Sequence, residues 1–278
     1  MKQLYYSLPQ YLKDTFGRKL YKVALETGMT CPNRDGKVAV GGCIFCGEGG
    51  SGDFAIYYEG KRLSREELIY NHQEIPKGDY IAYFQSFTNT YAPTSKLREI
   101  FTAALEDDLF AGISIATRPD CLGKDVIELL KELKEKYLNK FIWVELGLQT
   151  IHESTAKWMN RGYPLEVFDE AVKNLKAIDI EVIVHIIIGL PGEDQKMLLE
   201  TIQHLNACQI DGVKLQLLHY LKNTRLGVQY LLDPSQYHVL EMDEYVELVT
   251  ECIAHLDEHI VIHRLTGDGN AEDLIAPL

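Results

Sequence analysis

Three cysteines, Cys31, Cys43 and Cys46, fall inside one turn-rich stretch, TCPNRDGKVAVGGCIFCGEGGSG, with the spacing C-x11-C-x2-C. Thiolates are soft ligands that suit zinc, copper(I) or iron–sulfur clusters. Structural zinc normally closes its tetrahedron with four protein ligands. No fourth cysteine lies nearby, and the nearest histidine is His72. Cys121, Cys208 and Cys252 are scattered singly and read as small buried hydrophobes. Three cysteines can instead hold a [4Fe–4S] cluster, which leaves one iron open to a small molecule. The glycines at 41, 42, 47, 49, 50 and 52 would let backbone wrap such a cluster closely. Two other readings stay open: a zinc-stabilised binding protein using a distant histidine, and a weaker one, a cysteine-nucleophile enzyme.

Other polar residues interrupt apolar runs. In VELGLQT, Glu145 and Gln149 break an otherwise apolar strand, and period-two alternation puts residues 145, 147 and 149 on one face. Burying such groups unpaired costs roughly 2–7 kcal/mol each, so they need partners. His185 sits among apolar residues in VHIIIGLPGED and reads by default as a satisfied core histidine. Lys214, Gln216 and His219 in VKLQLLHYLKNT are candidates for a substrate pocket. In HRLTGDG, Arg264 and Asp268 are explained at least as well by a turn.

The elements that must hold these residues alternate regularly. Strands are expected over 18–26, 79–86, 112–118, 141–149, 181–189 and 212–219, several of them near-continuous apolar runs typical of parallel strands covered on both faces. Ser64 to Glu67 has capping-box spacing before LIYNHQ. Pro164 fits the first position of a helix burying Phe168, Val172, Leu175 and Ile178. Leu198, Ile202 and Leu205 mark another helix, and EMDEYVELVTECIAHLDEH a long one near the end, followed by a further strand, IVIHRL. Six successive βα units imply a parallel α/β sheet with right-handed crossovers. Six are too few for an eight-unit barrel, so a partial barrel is expected, with chemistry at the C-terminal ends of its strands. The cysteine loop follows the first strand, at that end.

The whole chain, 278 residues with 28 basic and 41 acidic side chains, carries a net charge of −13. That balance argues against broad affinity for nucleic acid. Local groups such as Lys131, Lys134, Lys136 and Lys140, or Lys61, Arg62 and Arg65, read first as solvated helix faces. No apolar run spans a membrane and no signal-peptide core opens the chain, so a cytoplasmic location is expected, where clustered thiols bind metal rather than form disulfides.

With these residues in view, the chain resembles the radical S-adenosylmethionine (SAM) superfamily over roughly residues 18–265, within an N-terminal extension 1–17, a core 18–220 and a C-terminal extension 221–278. The resemblance implies a partial (β/α)6 barrel like a TIM barrel. It also implies a [4Fe–4S] cluster on Cys31, Cys43 and Cys46, whose open iron binds SAM and whose reduction yields a 5′-deoxyadenosyl radical. The usual spacing is C-x3-C-x2-C; the longer insert here resembles the Elp3-like subset. By the same resemblance Phe45 packs near the adenine, and Gln85, Ser86, Thr88 and Asn89 stand where relatives bind the SAM amino group. Glu145 and Gln149 face the cluster, with Gln149 near the ribose. Arg161 matches an arginine that clamps the SAM carboxylate, and His185 lies in the adenine-contacting region.

The set YKVALETGMTCPNRDG, GGCIFC, SIATRPDC, VELGLQT, NRGY and HRLTGDG is similar to the YtqA/YhcC group. Its YtqA branch is associated with tRNA wobble-uridine modification, the conversion of 5-carboxymethylaminomethyl-(2-thio)uridine to the aminomethyl form. A SAM-dependent methylase acts afterwards, and an electron donor such as flavodoxin or ferredoxin is implied. The reaction would abstract hydrogen beside the secondary amine, oxidise the carbon to an iminium and release glyoxylate with water. Arg118 in ATRPDC is a candidate for the substrate carboxylate by charge and location.

Overall fold

The computed structural model describes residues 4–47, 49–50, 55–64, 79–267 and 271–278. The expected helix after Ser64, together with His72, Arg65 and Asp268, lies outside the described residues.

Ten strands are present among the described residues: β1 Leu20–Glu26, β2 Ile56–Tyr57, β3 Asp79–Phe84, β4 Phe110–Thr117, β5 Phe141–Gln149, β6 Glu181–Ile188, β7 Gly212–Leu217, β8 Tyr220–Leu221, β9 Val261–Arg264 and β10 Leu274–Ala276. Eight form one sheet in the order β2-β1-β3-β4-β5-β6-β7-β9, and every pairing in it is parallel. The two edge strands are different, so the sheet is an open, partial barrel. The six expected strands are all present. The sheet is wider than the six-unit reading by two edges, the short β2 and the late β9. β2 is two residues long and carries no alternation a sequence could display, and β9 pairs with β7 across the intervening C-terminal segment.

The α-helices are α1 Leu8–Phe16, α2 Thr94–Glu106, α3 Lys124–Lys136, α4 Glu153–Trp158, α5 Leu165–Ala177, α6 Gln195–Ala207, α7 Arg225–Leu232 and α8 Met242–His255. Their apolar stripes explain where they sit. α2 buries Leu97, Ile100, Phe101, Ala104 and Leu105, and α3 buries Val126, Leu129, Leu130 and Leu133. Both join the main core with the outward faces of the strands. α5 buries Phe168, Ala171, Val172 and Leu175; Pro164 caps it rather than occupying its first turn, and Ile178 caps its end half-buried. α6 starts where the Asp194 carboxylate accepts the Met197 N–H at 2.9 Å, satisfying a backbone donor that the helix itself leaves unpaired.

The N-terminal helix closes the barrel from below. Leu8, Tyr11, Leu12 and Phe16 pack with Leu20, Ile81, Trp143 and Ile183 in a separate apolar cluster. The Tyr11 hydroxyl donates to Glu181 Oε1 at 2.6 Å, and the Trp143 indole N–H donates to the other oxygen. Backbone tightens the same seam, with Ile262 N–H donating to the Tyr6 carbonyl at 2.8 Å. No helix among the described residues is long and apolar enough to cross a membrane.

Candidate active site

A cavity of about 520 Å³ occupies the inside of the partial barrel. Cys31, Cys43 and Cys46 line its mouth, at the C-terminal end of β1. The thiols are held by a short set of contacts. Asn33 Nδ2 reaches Cys43 Sγ at 3.5 Å while also donating to the Asn160 carbonyl at 2.5 Å. Asn160 Nδ2 returns a bond to the Gly42 carbonyl at 2.8 Å, so the loop and the end of α4 brace each other. Gly162 completes this contact. Its φ is +82°, and a Cβ there would stand 2.6 Å from Asn33 Oδ1 and 2.9 Å from Val38 Cγ1.

At the mouth the electrostatics favour thiolate at one of the thiols, Cys43. The hydrogen bond from Cys46 lowers the Cys43 thiol to about 7 against the opposing effect of burial, aided by the charges of Arg118 and Arg225 and by Asn33. Cys46, as donor in that pair and buried, is pushed well above the ordinary value. Arg34 donates to the Cys46 carbonyl at 3.3 Å and to the Gly47 carbonyl, and its guanidinium lies 5.1 Å from the Phe87 ring centroid.

Of the other expected site residues, Phe45, Gln85, Thr88, Glu145, Gln149, Arg161 and His185 line the cavity. Ser86 and Asn89 do not. Asn89 is fully buried, and its Nδ2 donates to the carbonyls of Phe84, Ser86 and Ala116 at 3.0–3.1 Å, which makes it a brace for the loop after β3. Ser86 is buried beside it. Short polar side chains after a strand look alike in sequence whether they face a cavity or tie a turn.

Two arginines are committed to the protein itself. Arg161 is 1% exposed and donates to the carbonyls of Tyr163 (3.0 Å), Leu148 (3.2 Å) and Thr150 (2.6 Å) and to Glu153 Oε1 (2.9 Å). Arg118 meets Asp120 through two bonds of 2.8 and 2.9 Å and donates to the Arg161 carbonyl at 2.9 Å. The location expected for Arg118, at the cavity, holds; its availability to a substrate carboxylate does not, because Asp120 stands two residues away as its fork-shaped partner.

Deeper in the barrel the strands bring together a polar network. The side chain of Glu145 is sealed from solvent. It accepts bonds from Lys22 Nζ (2.7 Å), Ser114 Oγ (2.6 Å), His185 Nε2 (2.7 Å) and Lys214 Nζ. Burial alone would raise its carboxyl, but the ammonium groups of Lys214 and Lys22 outweigh that and hold it well below the usual range. Burial lowers Lys214 to about 7 despite the pull of Glu145, with Lys22 and Arg264 adding to the effect. His185 is lowered to about 4 by burial and by Lys214. Neutral His185 therefore donates from Nε2 to Glu145, and its Nδ1 accepts from Gln216 Nε2 at 3.3 Å. His185 is thus a largely buried histidine with both ring nitrogens satisfied, as its apolar surroundings suggested, and it also forms part of the cavity wall. Lys22, Ser114 and Tyr83 in this network carry no sequence signal beyond alternation along their strands, and sequence reasoning missed them.

A model of the radical SAM superfamily matches residues 26–205, and one of the Radical_SAM C-terminal domain matches residues 210–278. The chain belongs to the radical SAM superfamily. It is 45% identical to YtqA of Bacillus subtilis over 276 residues, covering 99% of this chain and 84% of that protein, and 32% identical to YhcC of Escherichia coli K12, covering 96% and 84%. A segment of 86 residues, 31% of this chain and 15% of the relative, is 34% identical to the tRNA uridine(34) acetyltransferase of Methanocaldococcus jannaschii. Among solved structures, the archaeal Elp3 of Methanocaldococcus infernus superposes with a TM-score of 0.64 at 16% identity, covering 92% of this chain and 59% of that one. The chain thus spans somewhat more than half of that Elp3, and the likeness is one of fold.

As a radical SAM enzyme the protein uses a [4Fe–4S] cluster and SAM. The residues at the cavity mouth fit such a cluster. Three soft thiols face one cavity, one of them shifted toward thiolate, with an amide N–H directed at its sulfur. A separate group, Asp169, His204 and Cys208, has ligand atoms within 4.8 Å of one another among the described residues. Of the three scattered cysteines only Cys252 is fully buried. Cys121 and Cys208 are partly exposed, and Cys208 Sγ lies 3.8 Å from Asp169 Oδ1.

Proposed function

We propose that this radical SAM enzyme acts in the cytoplasm on the wobble uridine of bacterial tRNA, removing the carboxymethyl group from 5-carboxymethylaminomethyl-(2-thio)uridine. The observation that carries the reading is the pairing, in one cavity, of a three-thiol mouth with a floor where Lys22 and Lys214 converge on buried Glu145. The sequence resemblance to the YtqA branch and the partial similarity to a tRNA uridine(34) acetyltransferase support the choice of tRNA.

Cys31, Cys43 and Cys46 would hold the cluster, which when bound supplies reductive cleavage of SAM to a 5′-deoxyadenosyl radical. The chain's own residues supply placement. Asn33 steadies Cys43, and Phe45, Gln85, Thr88, Gln149 and Arg161 form the wall where SAM would lie. Placement matters more here than a strong acid or base, because the reacting carbon has to sit beside a radical that any other hydrogen-atom donor would divert. An anticodon base is already unstacked enough to enter a cavity of this size. The lysine-rich surfaces offer little to the RNA backbone. Lys134, Lys131, Lys136, Lys61 and Arg62 are paired with Asp179, Glu135, Glu106, Glu59 and Asp108, so tRNA binding would rest on the cavity rim and the anticodon loop. Electrons would come from a flavodoxin or ferredoxin, and a SAM-dependent methylase would consume the aminomethyl product.

The test is deletion of the gene followed by mass-spectrometric profiling of tRNA nucleosides. Accumulation of the carboxymethylaminomethyl nucleoside, reversed by the wild-type gene and not by a Cys43→Ala copy, is the expected result. An unchanged profile removes the assignment.

A further inference from the structure

Lys22 and Lys214 stand in the N-terminal halves of their strands and Glu145 at the middle of its own, so the lysines lie below the cysteine mouth, which follows the C-terminal end of β1, and toward the base that α1 closes. Glu145 is the one carboxylate lining the cavity among the described residues, and two ammonium groups share it. Its four acceptor positions are already taken, by Lys22, Ser114, His185 and Lys214. The lysines are not saturated. Among the described residues Lys22 Nζ makes one hydrogen bond, to Glu145, and Lys214 Nζ makes two, to Glu145 and to the Tyr83 hydroxyl at 3.0 Å. An ammonium group has three donors. Beside them His263 Nδ1 is buried without a hydrogen-bond partner among the described residues.

Once Lys214 is protonated, two ammonium groups share one carboxylate, and that excess positive charge is costly unless something neutralises it. No protein carboxylate is left in the cavity to do so. We infer that the barrel floor is a carboxylate subsite, in which Lys22 and Lys214, with His263 beside them, take the carboxylate at the far end of the substrate's C5 side arm. The arm's methylene groups then lie between this floor and the cysteine end. A phosphoryl group of the RNA backbone fits the role less well, because the floor lies at the α1 end of the cavity, away from the cysteine mouth. This assignment rests on the wobble-uridine reading for the identity of the arm, and it replaces Arg118, which Asp120 already occupies.

Binding has a protonation signature. Lys214 titrates near 7 in a surrounding of Glu145, Lys22, His185, Tyr83 and Arg264. A carboxylate arriving beside it favours the charged form, so binding at pH 8 takes up protons, approaching about one per site.

The experiment is calorimetric titration of the anaerobically reconstituted, SAM-loaded protein with two nucleosides, 5-carboxymethylaminomethyluridine and 5-aminomethyluridine, in buffers of different ionisation enthalpy. Wild type binds the carboxylate form at least about tenfold more tightly, with proton uptake. Lys214→Met leaves the Lys22–Glu145 pair balanced and abolishes both the preference and the uptake. Lys214→Arg keeps the charge and retains the preference, and if Lys214→Met does not fold, the wild-type and Lys214→Arg comparisons still decide. Absence of preference in wild type, or its persistence in both Lys214→Met and Lys22→Met, overturns the subsite. The reaction is judged separately. Turnover of the tRNA without nucleoside preference sinks the subsite alone, whereas preference without turnover sinks the reaction and leaves the subsite standing.

Discussion

His185 Nε2 lies 2.7 Å from Glu145 Oε2, and neutral His185 donates that bond to an ionised carboxylate. The pair joins β5 to β6 across the barrel interior, in a place where two lysines converge on the same carboxylate. Buried ionic clusters of this kind contribute less to stability than their contact count suggests, yet breaking one is expensive.

Glu145→Gln should therefore be among the most damaging conservative changes in the chain. It leaves Lys22 and Lys214 facing each other without a counter-charge, and the expected loss is about 3–5 kcal/mol. Chemical denaturation measures it. The double variant Glu145→Gln with Lys214→Met should recover a good part of that loss, and a double variant no more stable than the single would contradict the view that charge imbalance is the cause.

Stability should depend on pH through the same groups. Glu145 has its folded value depressed below the ordinary 4.5. Its contribution is fully present above that value and is lost as pH falls through the lower, folded one. Lys214 falls from 10.5 to about 7 on folding. Between these two values the unfolded chain holds a proton that the folded chain has released, so this group makes stability rise with pH from about 7 towards 10.5. Urea unfolding at several pH values in wild type and Lys214→Met checks the sign, since the variant should show a smaller rise.

Gly162→Ala should weaken the cysteine loop at a distance in sequence. The φ of +82° strains any other residue, and the added methyl meets Asn33 Oδ1 at 2.6 Å. A destabilisation of roughly 1–3 kcal/mol is expected from such strain. Iron content after anaerobic reconstitution should drop as well, because Asn33 can no longer reach Cys43. Normal iron with a normal melting temperature would show the loop to be independent of the α4–α5 turn.

Arg161→Lys should cost stability, by about 2–4 kcal/mol, even without SAM, because a single ammonium cannot replace donors to three carbonyls and a carboxylate. Differential scanning calorimetry of the protein without SAM tests this. A variant with unchanged melting but weakened SAM binding would return Arg161 to the role of a clamp alone.

Much of this was legible in the residues. The strands from 79 to 219 announce themselves because parallel strands covered on both faces must be apolar almost throughout, and the thiol loop stands out because C-x2-C pairs rarely gather without a metal. Glu145 and Gln149 were visible as polar interruptions, and alternation placed them inside. The functional division among Gln85, Ser86, Thr88 and Asn89 was not visible, since the turn after β3 rotates each side chain by backbone angles that composition does not encode. Nor was the fate of Arg161 and Arg118, whose partners come from other segments or from a 3-10 turn.

Local chemistry, then, is what the sequence by itself determined: soft ligands one short of a closed site, apolar runs of the right period, and a carboxylate in a strand that had to find partners. Which partners it found was decided only when eight strands met in register. Lys22 and Glu145 are 123 residues apart in the chain and 2.7 Å apart in space. Long-range electrostatic pairing of that kind depends on the curvature and order of the sheet, which no single stretch of residues contains.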